Sequence, residues 1–430
     1  MGSLDNKDKN SNEAVTTPMD YRYMKFLRLV LRIISGWPGK ELGEKQLLME
    51  GRGYIMYNAT LSLLYFLLEM LYLRDHVEHL TFMELGHNYI VLLMTLLSCS
   101  RCVTLCFASK YPKVVIKFVE VFHLCHHRNK SEYAESIFQR VQKMSGVFTV
   151  YLSCITLNTL IMFNLTPVYN NYAHGKYASM NNLENTTYEH AIYLKFPFDA
   201  YSNFNGYMVA FTFNWYGSYL CASSVTMLDL FLSVMVFNIW GHFKILLNIL
   251  ETFPRPALEN AETDVGSVQF SESEQADVKA LLRECVIYHR FIADFANQMS
   301  DAFGIALFLY YMFHQVAGCL LLLECSQMNA EALLRYLPLT LMMFQQLIQV
   351  SIIFETIGSE SDKLKHAVYE IPWECMNSKN RMTALIYLMN VQKTIHVTAG
   401  GMVDVGVTTM ASILKTSFSY FAFLRTVGAE

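Results

Sequence analysis

The sequence predicts an all-α polytopic membrane protein of seven transmembrane helices, with a cytoplasmic N-terminus, an extracellular C-terminus and helical extensions into the cytoplasm. Three observations carry this. The 430 residues are 53% hydrophobic and only 16% charged, whereas an average soluble protein carries about 25% charged residues. The apolar residues gather into runs near 50–73, 87–108, 146–167, 205–240, 303–325, 334–357 and 404–427. Apart from the longer fourth, each run is about the 20 residues that a helix needs to cross a hydrocarbon core, and in lipid a helix satisfies its own backbone.

Lys and Arg in the connections set the orientation. The segment through Arg52 holds nine, and residues 109–145, 241–302 and 358–403 hold seven, five and five. The opposite face has only Arg74, Lys176, Lys195, Arg335 and Arg425. The rich face is therefore expected in the cytoplasm. The sequon Asn185-Thr186-Thr187 falls on the opposite face, where glycosylation occurs. Asn58 and Asn164 also sit in sequons but lie within spans.

The fourth run is too long for one crossing, so a span continuing below the membrane is expected there. Residues 257–278 are rich in Glu, Asp and Ser and are expected to form a solvated linker. Leu281–Asn297 and Lys363–Ile371 look helical, Pro372 interrupts, and Asn380–Val391 places Leu385, Leu388 and Met389 on one face. The expected organisation is a cytoplasmic segment (1–49), six spans (50–357), cytoplasmic helices (358–403), and a seventh span with a short tail (404–430).

Catalysis finds little support. A net charge of −4 suggests no nucleic-acid partner. The ten cysteines fall mostly in apolar runs or in segments assigned to the cytoplasm, so a disulfide framework is not expected. Cys99-Ser-Arg-Cys102 has the spacing of half a zinc or redox site, but no second pair stands at ligand distance. His123, Cys125, His126 and His127 are neighbours that point different ways on a helix. No phosphate loop or hydrolase motif occurs, and no metal or cofactor is expected.

Charges inside spans are the sharper clue, because they are costly and face a partner or water. Arg101 in the second span and Asp229 in the fourth lie at similar depth, so they either pair or snorkel to the interface. Lys415 stands midway along the last span among Thr408, Thr409, Ser412, Thr416, Ser417 and Ser419. Such a helix packs closely against others or lines a wet path. The outer halves of the fourth and fifth spans are aromatic, with Phe211 to Tyr219 reaching deep enough to wall a small-molecule cavity. Core packing and an interfacial belt explain the same residues.

Two segments are recognisable. Tyr369-Glu-Ile-Pro-Trp-Glu-Cys375 and the block from Gly406 through Ser419-Tyr420-Phe421 to Arg425 resemble the insect odorant receptor family. In detail they are most similar to moth receptors, including the clade that holds sex-pheromone receptors. The resemblance implies the ligand-binding subunit of a ligand-gated cation channel in the plasma membrane of sensory neurons. It implies a tetramer with an odorant co-receptor, the last span of each subunit lining a central pore, and a small volatile apolar ligand. Gate-lining positions would fall near Phe423, Thr426 and Val427, beyond Lys415 on the same helix. The bulkier Phe423 and Thr426 replace a smaller hydrophobic residue and a Gln of the co-receptor, so a tuning subunit is expected. The implied pocket draws on Tyr89, Leu93, Leu152, Ile155, Thr159, Phe211, Trp215 and Phe344. A gustatory-type chemoreceptor channel and a secondary transporter stand as alternatives, although no inverted repeat is visible. A G-protein-coupled receptor is excluded by the orientation and by the absence of its Asp-Arg-Tyr and Asn-Pro-x-x-Tyr marks.

Overall fold

The computed structural model describes residues 17–45, 51–177, 187–256, 269–326 and 330–427. The glycosylation candidate Asn185 and most of the acidic linker 257–278 lie outside the described residues. The chain forms a bundle of long helices: α1 (Arg22–Ile33), α2 (Arg52–His76), α3 (Phe82–Phe107), α4 (Tyr111–Lys117), α5 (Glu132–Ala173), α6 (Phe204–Glu251), α7 (Glu272–Cys325), α8 (Ala330–Tyr369), α9 (Ser378–Val391) and α10 (Val407–Val427). Among the described residues, α2, α3, α5, α6, α7 and α8 are long and apolar enough to cross a membrane. The seventh, α10, has 21 residues, about 30 Å at 1.5 Å per residue. It carries Lys415 and several hydroxyls among its apolar residues.

Local signals start the helices where the runs alone did not show it. Thr81 and Glu84 form a reciprocal capping box on α3, and Ser271 and Glu274 form another on α7. Ser131, Asn203 and Asn377 cap α5, α6 and α9 through their side-chain oxygens. Two expected elements and one expected boundary fall inside longer helices. Leu281–Asn297 is the lower part of the single helix α7, Lys363–Tyr369 ends α8, and the expected boundary at 357/358 falls inside α8. Gly400 and Gly401 both have positive φ and turn a short hairpin (β1, Thr398–Ala399; β2, Val403–Asp404) immediately before α10.

At the centre stands α6, on which every residue from Ser223 to Ile239 is buried. A helix apolar on all sides belongs in the middle of a bundle. By contrast, α2 and α5 turn Leu63, Leu64 and Leu67, and Val147, Val150 and Leu157, outward as lipid-facing surface. Among the described residues, the buried centre contains one ion pair: Arg101 Nη2 on α3 lies 2.8 Å from Asp229 Oδ1 on α6. The Arg101 side chain is fully buried, and its guanidinium also sits 5.3 Å from the centre of the Tyr310 ring on α7. The pair ties α3, α6 and α7 at one level.

Below the apolar level a second core forms from the extensions and the 109–131 connection. The Phe122 ring stacks on Phe295 with centroids 3.7 Å apart. His242 donates from Nε2 to the Phe122 carbonyl at 2.6 Å, and its Nδ1 accepts from the Tyr288 hydroxyl at 2.8 Å. His123 Nε2 bonds the Tyr23 hydroxyl of α1 at 2.8 Å. These imidazoles are consumed by packing bonds, and among the described residues no group of His, Cys, Asp and Glu could hold a metal ion. The helix α1, amphipathic through Met24, Leu27 and Leu31, was not anticipated within the segment 1–49.

Two consequences are measurable. Arg101→Leu or Asp229→Leu strands a buried charge, which costs about 3–5 kcal/mol. The exchange Arg101→Asp with Asp229→Arg recovers a large part of that loss in detergent thermal unfolding, whereas charges that only snorkel would tolerate either single change. Burial holds the His123 imidazole far below its ordinary value of 6.5, at about 3, and shifts His242 the same way, with the neighbouring His127 adding to it. Below pH ~6.5 the unfolded chain binds protons that the folded chain refuses. Thermal stability is therefore level above that pH and declines as it is lowered toward ~3. His123→Gln makes the decline shallower.

Candidate ligand cavity and pore helix

An apolar cavity of about 150 Å³ lies in the half of the bundle away from the cytoplasmic extensions, among α2, α3, α5, α6 and α8. Helix α3 contributes His87, Ile90, Val91, Met94, Thr95 and Ser98, a continuous i, i+3, i+4, i+7 stripe. Helix α5 contributes Ile155, Thr156, Thr159, Leu160 and Phe163. Helix α6 contributes the small residues from Gly217 to Thr226, and α8 contributes Leu339, Met342, Met343 and Gln346. Apolar walls with a few polar groups are what a small-molecule site requires.

Glycine is required at position 217. A Cβ there would lie 2.4 Å from the Tyr65 ring. Its absence lets Tyr65 of α2 lie flat on α6, stack on Phe213 and donate to the Phe213 carbonyl at 2.6 Å. The roof comes from the connection between α5 and α6. Asn214 donates to the Ile192 carbonyl at 2.8 Å, and His87 bonds the Ala191 carbonyl at 3.1 Å. Ile192 is thereby pinned into the cavity wall. Around it Tyr188, Tyr193, Tyr201 and Tyr207 form a packed aromatic plug, and Lys195 pairs with Asp75 at the end of α2.

Of the eight expected pocket residues, Ile155 and Thr159 line this cavity. The Thr159 hydroxyl donates to the Ile155 carbonyl at 2.8 Å and lies 3.2 Å from the Met342 sulfur. The other six do not line it. Tyr89 points outward at 36% exposure, Leu93 packs on the core, and Leu152 is a buried core residue. The physical reason on α3 is angular, since one residue is 100° of helix rotation, and the lining stripe is offset from Tyr89 and Leu93. On α6 the aromatic run lies above the cavity level: Phe211 stacks with Tyr207 and meets Trp215 edge-on, while small residues line the cavity below. Phe344 faces α10, stacked on Phe418 with centroids 6.2 Å apart.

Sequence reasoning did not find the α2 contribution (Ser62, Tyr65, Glu69) or the roof residue Ile192. The intramembrane glutamate was the available signal for the first, because a carboxyl at that depth needs a reason.

On α10, Ile413 and Ser417 are buried, and Gln315 of α7 donates to the Ser417 hydroxyl at 3.3 Å. The Glu355 carboxylate of α8 accepts from the Val407 N–H at 2.9 Å, anchoring the start of the helix. The opposite face is unpartnered: Thr408, Ser412, Lys415, Ser419, Phe423 and Thr426 are all exposed along one side. Val427 ends the helix.

The family model described as 7tm Odorant receptor matches residues 81–418. The chain is 23% identical over 235 residues to Odorant receptor 85c of Drosophila melanogaster, a match spanning 54% of this chain and 56% of that one. It is 21% identical over 322 residues to Odorant receptor Or1 of Anopheles gambiae, spanning 71% of this chain and 73% of the other. The match thus spans little more than half the length of the first of these relatives. In fold, the chain is similar to the insect olfactory receptor OR5 of Machilis hrabei in complex with eugenol. The TM-score is 0.72 at 16% identity, covering 94% of this chain and 97% of that one. With more than half of its length matched by the family model, the chain belongs to the insect odorant receptor family.

Proposed function

We propose that this chain is the ligand-binding subunit of a heteromeric ligand-gated cation channel, opened by a small volatile apolar odorant or pheromone in the plasma membrane of sensory neurons. The observation that carries this reading is the exposed stripe on α10. Hydroxyls and a lysine spaced at helical period along a spanning helix do not suit lipid, and they suit a water-filled axis shared with other subunits. The expected gate positions Phe423, Thr426 and Val427 lie at the end of that helix. A second support is α9, which buries Ala384, Tyr387 and Val391 but exposes Met382, Leu385, Ile386 and Met389 on one face. An apolar stripe of that kind below the membrane supports packing against a co-receptor subunit in a tetramer.

The cavity and α10 share one neighbour. Helix α8 lines the cavity through Met342 and Met343 and holds α10 through Phe344 and Glu355. A ligand that fits one placement of α8 better than another biases the pore helix by its differential affinity.

Current recording from cells expressing the chain with and without a co-receptor, against a panel of volatile apolar compounds, tests the proposal. Met342→Ala removes apolar contact from the wall, on the order of 1.5–3 kcal/mol, and shifts the half-activating concentration by roughly tenfold or more. Trp215→Ala, outside the wall, leaves it nearly unchanged. Phe423→Ala alters ion selectivity or gating while the order of ligand potencies stays the same. Currents indifferent to both Met342→Ala and Phe423→Ala reject the roles given to the cavity and to α10.

A further inference from the structure

Glu69 stands on the cavity wall without a charged partner there. It lies on α2, seven and four residues from Ser62 and Tyr65 on the same face, and all three line the cavity. Its side chain is enclosed, with the residue 6% exposed. Oε1 accepts from the Thr95 hydroxyl of α3 at 2.8 Å. Oε2 is buried and has no hydrogen-bond partner. Among the described residues that line the cavity there is no Lys or Arg.

Several other hydroxyls of the wall are already committed. Thr156 and Thr159 donate to carbonyls of their own helix, Ser218 donates to the Asn214 carbonyl, and Ser98 bonds Ser224. Among the described lining residues, Glu69 alone carries a buried polar atom with no partner. A staple between α2 and α3 is complete with Oε1 and Thr95, so it leaves the second oxygen unexplained. Buried polar atoms in folded proteins are paired with protein, water or ligand.

We propose that Glu69 reads the polar end of the ligand: the cavity takes a molecule with an apolar body and one terminal hydroxyl, which donates to Glu69 Oε2. This rests on the reading of the cavity as the ligand site and names the chemical class that the site selects. A carboxyl oxygen accepts a hydrogen bond whether or not the group carries a proton, so a ligand donor is satisfied in either state. A head that only accepts, such as an acetate ester, is satisfied in one state alone. An ammonium head brings three donors to a cavity with one open acceptor, whereas a hydroxyl brings one. Specificity follows from the general rule that a site built to hydrogen-bond a group discriminates strongly against the analogue lacking it.

The test compares straight-chain primary alcohols with the acetates and amines of the same carbon skeleton. Each compound is applied to the chain co-expressed with its co-receptor, and also to the purified full chain, where binding is read as thermal stabilisation. Wild type is expected to prefer each alcohol to its acetate by about tenfold or more. Glu69→Leu brings that ratio close to one, chiefly by weakening the alcohol. Glu69→Gln, which keeps a carbonyl acceptor, retains most of the preference. A Leu variant that weakens alcohol and acetate equally, a wild type that prefers acetates, or one that prefers amines overturns the proposal. The two measurements separate the failures. Alcohol-selective, Glu69-dependent binding without ligand-gated current removes the channel reading and keeps the Glu69 assignment. Ligand-gated currents and binding that ignore Glu69→Leu do the reverse.

Discussion

The buried pair of Arg101 and Asp229 is the constraint around which the bundle is arranged. Helix α6 is enclosed from Ser223 to Ile239, so a carboxylate at position 229 has no route to water. Its countercharge has to come from a neighbouring helix at the same depth, and Arg101 supplies it at 2.8 Å. Replacing such a pair by apolar residues is often neutral, whereas losing one partner is severe. The pair therefore contributes register more than net stability. It holds α3 at one height against α6, with Tyr310 of α7 beside the guanidinium. The cavity lies above that fixed level and the cytoplasmic core below it, so the sliding of α3 that would close the one or disturb the other carries a high cost.

Above the pair the helices are held apart by what they lack. The α6 wall between Gly217 and Thr226 is made mostly of small side chains, with Leu220 the exception, and the ring of Tyr65 occupies the space over Gly217. Bulky residues are concentrated higher, in the plug formed by the 187–203 connection and the start of α6. The empty volume is thus a consequence of residue size at one level of one helix, covered by a roof whose backbone is fastened through Asn214 and His87. This also accounts for the placement of Glu69. A carboxyl oxygen with no partner is costly in a packed core and is better tolerated where a ligand hydroxyl can reach it.

The membrane architecture was legible because lipid imposes a coarse rule: apolar length and the sidedness of Lys and Arg survive without tertiary context. Every expected span coincides with a helix, and the long fourth run is one helix, α6, of 48 residues. What could not be read is informative. Helix α7 begins at Glu272, some thirty residues before its apolar stretch, because its lower half obeys soluble amphipathic patterning and buries Val278, Leu282, Cys285 and Phe295 against the extensions. The period of α1 (Met24, Leu27, Leu31) was present but hidden in a segment judged by its charges. The cavity residues were harder still. Tyr89 and Leu93 stand one residue from the cavity-lining Ile90 and Met94, and on a helix that is 100°. The contribution of Ile192 depends on a long-range fold of an outer connection that carries no periodic signal.

The position of α8 gives the fold its direction of action. It is the one helix shown both to wall the cavity and to hold the start and middle of α10, through Glu355 at Val407 and Phe344 at Phe418. Packed interfaces of this kind shift between discrete arrangements more readily than they deform. On the proposed reading, a ligand seated against Met342 and Met343 acts on α10 only through its preference for one arrangement of α8 over another. Affinity alone is insufficient, since a molecule that fits both arrangements equally would occupy the cavity without effect. If Glu69 holds the ligand hydroxyl as proposed, that contact defines how deep the apolar body reaches toward α8. Chain length and headgroup are then coupled requirements: the carboxyl sets where the ligand starts, and the α8 methionines register where it ends.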